Sequence, residues 1–111
     1  MEQKSTKKVF TVKYNYSMPT EEFKKITSSV ALKFSEVPGL SWKIWLINED
    51  RKEAGGVYLF ESVPDLERFL NSTLFAALRN NTAISNLQTN TFGVAEAQSM
   101  ITNAPLMTMH V

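Results

Sequence analysis

Apolar residues recur with two different periods along the chain, and these periods predict its secondary structure. Alternation at every second position is typical of a strand with one buried face, and spacing of three and four residues is typical of an amphipathic helix. The strands predicted in this way are 9–16, 40–47, 57–60 and a weaker, Thr-rich and Asn-rich one over 84–94, and the helices are 20–37 and 62–81.

The segment from Pro38 to Phe60 predicts a hairpin, because turn formers and charges over 49–52 separate two apolar runs. With a four-residue loop, direct pairing places Lys43 opposite Tyr58 and a tryptophan, Trp45, opposite a glycine. In that register one face carries Lys43, Trp45, Ile47, Gly56, Tyr58 and Phe60, and the other carries Trp42, Ile44, Leu46, Val57 and Leu59.

The predicted order is the ferredoxin-like βαββαβ arrangement, an antiparallel four-stranded sheet with two helices on one face. Thr20 is the predicted N-cap of the first helix, and Asn80 and Asn81 are predicted to end the second. The chain is expected to form one domain over 1–111, with flexible or partner-contacting ends at 1–8 and 104–111. Leu106, Met107 and Met109 of the second end are expected to reach a partner subunit.

Composition narrows the function classes. A net charge of +1 predicts no strong electrostatic attraction to nucleic acid or acidic membranes, and the absence of cysteine excludes disulfides, thiolate nucleophiles and iron–sulfur clusters. The single histidine, His110, cannot assemble a usual zinc site and counts against a haem enzyme with a histidine ligand. No apolar run reaches the ~20 residues of a spanning helix, so a cytoplasmic protein is expected.

Two sequences within the hairpin carry a family resemblance: Pro-Gly-Leu-Ser-Trp-Lys-Ile-Trp from Pro38, and Glu-Ala-Gly-Gly-Val-Tyr-Leu-Phe from Glu53. Together they resemble the signature of the YdhR-like monooxygenases, and weaker similarity covers 9–16 and 92–96. The resemblance implies a dimeric α+β barrel, in which two sheets pack face to face, and a monooxygenase that needs no metal, flavin or haem. The chain differs from the family at Thr73 and Leu74, where relatives commonly carry a His-Thr pair.

The candidate site is a pocket for a flat, small aromatic molecule, with aromatic walls and few polar groups. Lys43 and Tyr58 are the candidate catalytic residues, as base and as polar partner of a substrate oxygen. Lys43 could instead extend to the sheet edge, and the aromatic residues could simply form core and dimer interface. The candidate substrate-binding residues are Trp42, Trp45, Tyr14, Phe60 and Asn48, of which Asn48 could instead shape the turn.

Three function classes follow from these observations. The first is a cofactor-independent monooxygenase acting on a phenol-like or quinol-like substrate. The second is a non-enzymatic protein of the same dimeric fold that binds a small molecule or acts in stress. The third is RNA binding, because RNA-recognition motifs share this element order; however, residues 55–60 lack the basic start of the RNA-binding motif.

Overall fold

The structure is a computed structural model that describes residues 5–107. Its four strands form one antiparallel sheet in the order β2-β3-β1-β4, which confirms the ferredoxin-like arrangement. The elements are β1 (Lys8–Tyr16), α1 (Thr20–Ser35), β2 (Leu40–Asn48), β3 (Glu53–Phe60), α2 (Val63–Leu70), α3 (Thr73–Arg79), β4 (Ile84–Gly93) and α4 (Glu96–Ile101). None of the helices within residues 5–107 has the length and apolar character to cross a bilayer.

The register of the hairpin is the predicted one. Lys43 pairs with Tyr58 and Trp45 with Gly56, and the last pair before the loop joins Asn48 to Glu53. Since side chains alternate along a strand, Lys43, Trp45 and Tyr58 share one face of the sheet. An irregularity at Ser41 shifts the pairing by one residue at the start of β2.

The helix-facing side of the sheet builds an aromatic core. Phe10, Tyr58 and Phe60 are almost fully buried there, and Phe69 of α2 packs against all three with ring centroids 5.4 to 6.3 Å apart. Rings at these distances and tilted angles attract one another in addition to removing apolar area from water. The core therefore fixes the position of Tyr58 and joins α2 to strands β1 and β3.

The second helix is not continuous, contrary to the sequence prediction. It divides after Leu70, because the Ser72 hydroxyl accepts a hydrogen bond from Phe75 N at 3.2 Å and starts a new helix. Phe75 is consequently buried against Phe10, a contact that the single-helix interpretation did not contain. The prediction that Thr20 caps α1 is also wrong, since Pro19 occupies that position without a side-chain cap.

The second face of the sheet lies opposite the three helices α1 to α3, and its β2–β3 end is covered by the chain after α4. Trp42 Nε1 donates a hydrogen bond to the Pro105 carbonyl at 2.7 Å, and Leu106 is buried within its own chain. Met107 is exposed, whereas Met109 and His110 lie outside the described residues. We call the remainder of this surface the open face; its exposed apolar side chains are Ile44, Leu46 and Phe92.

Candidate active site

A cavity of about 140 Å³ lies between the sheet and the helices α1 and α3. We call it the inner cavity. It is lined mainly by apolar side chains, with Lys43, two tyrosines, Thr27 and Asn81 as its polar groups, which is the composition of a site for a small organic molecule. The lining residues are Tyr14, Met18, Phe23, Ile26, Thr27, Val30, Phe34, Lys43, Trp45, Gly55, Tyr58, Leu74, Ala77, Leu78, Asn81 and Ile84.

The amine of Lys43 is held among three aromatic rings. Its Nζ lies 3.4 Å from the ring centroid of Trp45, 3.6 Å from that of Phe34 and 4.6 Å from that of Tyr58. Burial lowers the pKa of Lys43 from 10.5 to about 7, because the charged form loses its hydration. The ring faces attract the ammonium and partly oppose this effect. At neutral pH, Lys43 is therefore present in substantial amounts both as an ammonium and as a neutral amine.

The two tyrosines of the inner cavity remain protonated. Burial raises the pKa of Tyr14 to about 12, and burial followed by the nearby Tyr14 raises the pKa of Tyr58 still further. Neither phenol oxygen forms a hydrogen bond with another residue in 5–107, yet no buried side-chain oxygen in that range lacks a partner. Both hydroxyl oxygens therefore keep some accessible surface, and both residues line the inner cavity, where a phenol hydroxyl group can donate to an oxygen of a bound molecule.

Gly56 provides the space that Lys43 occupies. A Cβ atom at Gly56 would lie 2.8 Å from Lys43 Cε, 3.2 Å from the Ile44 carbonyl oxygen and 3.2 Å from Tyr58 Cε1. Only a residue without a side chain lets the lysine bend across β3 toward the rings.

We expect Gly56→Ala to move the Lys43 amine out of its ring contacts and to return its pKa toward the ordinary value of ~10.4. The variant should still fold, since the tightest contact is with the end of a flexible side chain. The measurement is an NMR titration of the lysine Cε signals. A Lys43 titration unchanged from that of the native protein would contradict this role of Gly56.

The structure brings together four of the seven candidate site residues, namely Tyr14, Lys43, Trp45 and Tyr58. Phe60 has no exposed surface and belongs to the core. Asn48 lies at the end of β2, where its Oδ1 accepts a hydrogen bond from Arg51 N at 3.3 Å, so it shapes the turn. Glu53 forms an ion pair with Lys13 at 3.3 Å.

The two tryptophans do not both line the inner cavity. Trp42 and Trp45 are an odd number of residues apart, so their side chains leave opposite faces of β2. Only Trp45 lines the inner cavity. The two tryptophans do share a second space, a cleft of about 260 Å³ at the edge formed by α1 and β2, which we call the edge cleft. Lys43 and Phe34 line the edge cleft as well.

The helix residues of the site were absent from the sequence-based candidates. Phe34 and Val30 of α1, and Leu74 and Leu78 of α3, form the wall of the inner cavity that faces the sheet. A signal for the α1 residues was present, because they belong to the apolar stripe that must cover the face carrying Lys43. Leu74, one of the two positions that differ from the family, lines the cavity directly. Within residues 5–107 no group of three His, Asp or Glu side chains could hold a metal.

Known proteins share this fold. SnoaB from Streptomyces nogalater, a cofactor-independent oxygenase, is 19% identical and aligns with a TM-score of 0.64 over 80% of this chain and 93% of its own. A protein of Nitrosomonas europaea described as "Putative antibiotic biosynthesis monooxygenase" is 15% identical, with a TM-score of 0.68 over 86% of this chain and 96% of its own. MhuD, a haem degrader from Mycobacterium tuberculosis, is 17% identical, with a TM-score of 0.62 over 79% of this chain and 95% of its own.

These identities support a shared fold and no more. No curated protein sequence matches the chain. The sequence model of one family, in contrast, matches residues 9–105. This range includes every residue that lines the inner cavity, and it includes the whole sheet except the first residue of β1. The chain therefore belongs to the family described as "Putative mono-oxygenase ydhR".

Proposed function

We propose that the protein is a cofactor-independent monooxygenase that oxidises a small phenol or hydroquinone in the inner cavity, with Lys43 as the base. The observation that carries this proposal is the partly buried amine of Lys43, which lies among three aromatic rings and whose pKa of about 7 matches the requirement for a general base at neutral pH. Family membership supports oxygenase chemistry, and SnoaB is an example of a cofactor-independent oxygenase on this fold.

The size of the inner cavity favours a substrate with a single ring. Its volume of about 140 Å³ is close to that of an engineered apolar cavity of about 150 Å³ that binds benzene. The rings of Phe34 and Trp45 offer flat walls to such a molecule. A phenol hydroxyl near Lys43 Nζ would complete the arrangement needed for proton transfer.

The proposed reaction begins when the neutral amine of Lys43 takes the phenol proton. The phenolate then transfers one electron to dioxygen, the phenoxyl radical and superoxide combine to a peroxide anion on a ring carbon, and the protonated Lys43 returns its proton to form the hydroperoxide. Loss of water from that carbon yields a quinone, so that one oxygen atom enters the product and the other leaves in water. The protonated Lys43 and the hydroxyl groups of Tyr14 and Tyr58 would stabilise the negative oxygen that develops.

The test of this proposal combines turnover with binding. We expect dioxygen uptake above a buffer control for at least one phenol or hydroquinone in a panel of single-ring compounds. Binding is measured in a Trp42→Phe variant, in which Trp45 of the inner cavity is the remaining tryptophan. Quenching of its fluorescence without dioxygen uptake would support a non-enzymatic binding protein instead, and neither signal with any compound would refute both functions.

We also propose that the protein forms a homodimer through the open face. Ile44 and Phe92 are 53% and 55% exposed there, and apolar surface of this kind is typical of an interface. Two sheets packed through these faces would leave both inner cavities on the outer sides of the dimer, next to their own helices.

Location in the cytoplasm stays a prediction.

We expect Ile44→Asp to weaken the dimer about tenfold or more, since a carboxylate would lose its hydration in the interface. Equilibrium sedimentation of the variant and the native chain measures the difference. Leu32→Asp is the matched control, because Leu32 is 77% exposed on α1, outside the open face. Equal dimer constants for Ile44→Asp and the native chain would contradict an interface at this position.

A further inference from the structure

The inner cavity and the edge cleft share three side chains, Phe34, Lys43 and Trp45. The lysine thus stands in the wall between a space beneath the helices α1 and α3 and a space at the edge formed by α1 and β2. A molecule in either space can meet its amine. No Asp or Glu within residues 5–107 lines either space, so no carboxylate there holds the amine as an ammonium.

We propose that Lys43 is also a covalent capture site for small aromatic aldehydes and ketones, which it binds as an imine. A lysine amine in apolar surroundings is the group that forms such adducts, because only the neutral amine can attack a carbonyl carbon. The rings of Phe34 and Trp45 beside Nζ provide flat contacts for an aromatic carbonyl compound. This inference does not depend on oxygenase activity.

The proposed step consumes one carbonyl group and releases one water. Nζ attacks the carbonyl carbon, and one proton moves from the nitrogen to the oxygen to give a carbinolamine. The hydroxyl group leaves as water when it receives a second proton, the nitrogen lone pair closes the C=N bond, and the nitrogen then releases its remaining proton. Tyr14 and Tyr58 are the acids available for this proton transfer, since both are phenols of the inner cavity that stay protonated at neutral pH.

The other titratable groups of the two spaces do not oppose the reaction. Among residues 5–107, the lining of the inner cavity contains no titratable group besides Lys43, Tyr14 and Tyr58, and the lining of the edge cleft contains none besides Lys43. Both tyrosines are neutral, so they neither hold the lysine in its charged form nor repel it. Reactivity should therefore follow the neutral fraction of Lys43, which rises with pH through about 7.

The experiment uses benzaldehyde and sodium cyanoborohydride with the full chain at neutral pH under nitrogen, followed by peptide mapping. A lysine of ordinary pKa is neutral in a fraction of only about 10⁻³ at this pH. We expect Lys43 to be labelled about tenfold faster or more than the exposed Lys33 of α1. Mapping separates this adduct from labelling of any α-amino group.

Two further comparisons make the result decisive. Lys43→Arg keeps a long cationic side chain without a primary amine and should lose the adduct, while Lys33→Arg should keep it. If Lys43→Arg does not fold, the comparison of Lys43 with Lys33 within the native chain still decides the proposal. Labelling of Lys43 no faster than Lys33 would overturn it. Dioxygen uptake is measured in a separate experiment and needs no attack of the amine on a carbonyl carbon, so this failure would leave the oxygenase proposal standing.

Discussion

Replacing Lys43 by methionine should reduce dioxygen uptake with a phenol substrate by about 10²- to 10⁴-fold, the usual contribution of a general base. Methionine has a similar length and packs well against aromatic rings, so the cage of Phe34, Trp45 and Tyr58 should stay filled. What the variant lacks is the amine that removes the phenol proton. Initial rates of dioxygen uptake at saturating substrate measure the loss.

Lys33→Met is the matched control for this variant, because it removes an exposed lysine of α1 outside both the inner cavity and the edge cleft. Its rate should equal that of the native protein. Native activity should also rise with pH through about 7, since only the neutral amine accepts a proton. Native-like turnover by Lys43→Met would remove the lysine from the mechanism.

The same pKa predicts how stability depends on pH. Lys43 binds its proton less tightly in the folded chain, with a pKa of about 7, than in the unfolded chain, where the value is 10.5. Between these values the unfolded state holds more protons, so the contribution of Lys43 makes folding more favourable as pH rises from about 7 to 10. Below pH 7 the ammonium form of Lys43 destabilises the folded state by its full desolvation cost. Lys43→Met should abolish the contribution of Lys43 to the pH dependence of the free energy of unfolding.

Gly55→Ala should destabilise the fold by about 3 kcal/mol or more, or prevent folding, because the added atom overlaps rigid backbone. A Cβ atom at Gly55 would lie 1.9 Å from the Val12 carbonyl oxygen and 2.8 Å from the Val12 carbonyl carbon. Strand β3 lies inside the sheet, between β2 and β1, so it cannot move away from one neighbour without approaching the other. Urea unfolding followed by circular dichroism measures the change.

Gly93→Ala is the control, since its Cβ would meet nothing closer than Lys8 Nζ at 3.7 Å. It should unfold within about 0.5 kcal/mol of the native protein, as surface substitutions usually do. Equal stability of Gly55→Ala and Gly93→Ala would mean that β1 and β3 are not packed as closely as described.

The β2–β3 hairpin of the sheet was predictable because its two strands are neighbours in the sequence. The alternation of apolar residues on each side of a short charged loop specifies both the hairpin and its register, and a slip by one residue would turn every side chain to the other face. The pairs Lys43 with Tyr58 and Trp45 with Gly56 follow from that pattern alone. Family resemblance at the same residues pointed to the fold that the structure has.

The cavity was less predictable, because it depends on where separate elements meet. Leu74 and Leu78 line the cavity from α3, a separate helix that begins after the break at Ser72, and periodicity did not indicate this break. Phe34 lies in the helix predicted over 20–37, but its contact with Lys43 was not predictable, since the apolar stripe of a helix does not reveal which residue faces which strand. Trp42 was grouped with Trp45 by residue type, although strand alternation separates them.

A titration of Lys43 in the free protein tests the central claim most directly. The chain is labelled with ¹³C at the lysine Cε positions, and Lys43→Arg identifies the signal that belongs to Lys43. The predicted result is one signal that titrates near 7 and shifts when phenol fills the inner cavity. A Lys43 signal that titrates near the ordinary value of ~10.4 and ignores phenol would contradict the buried base on which the proposed function depends.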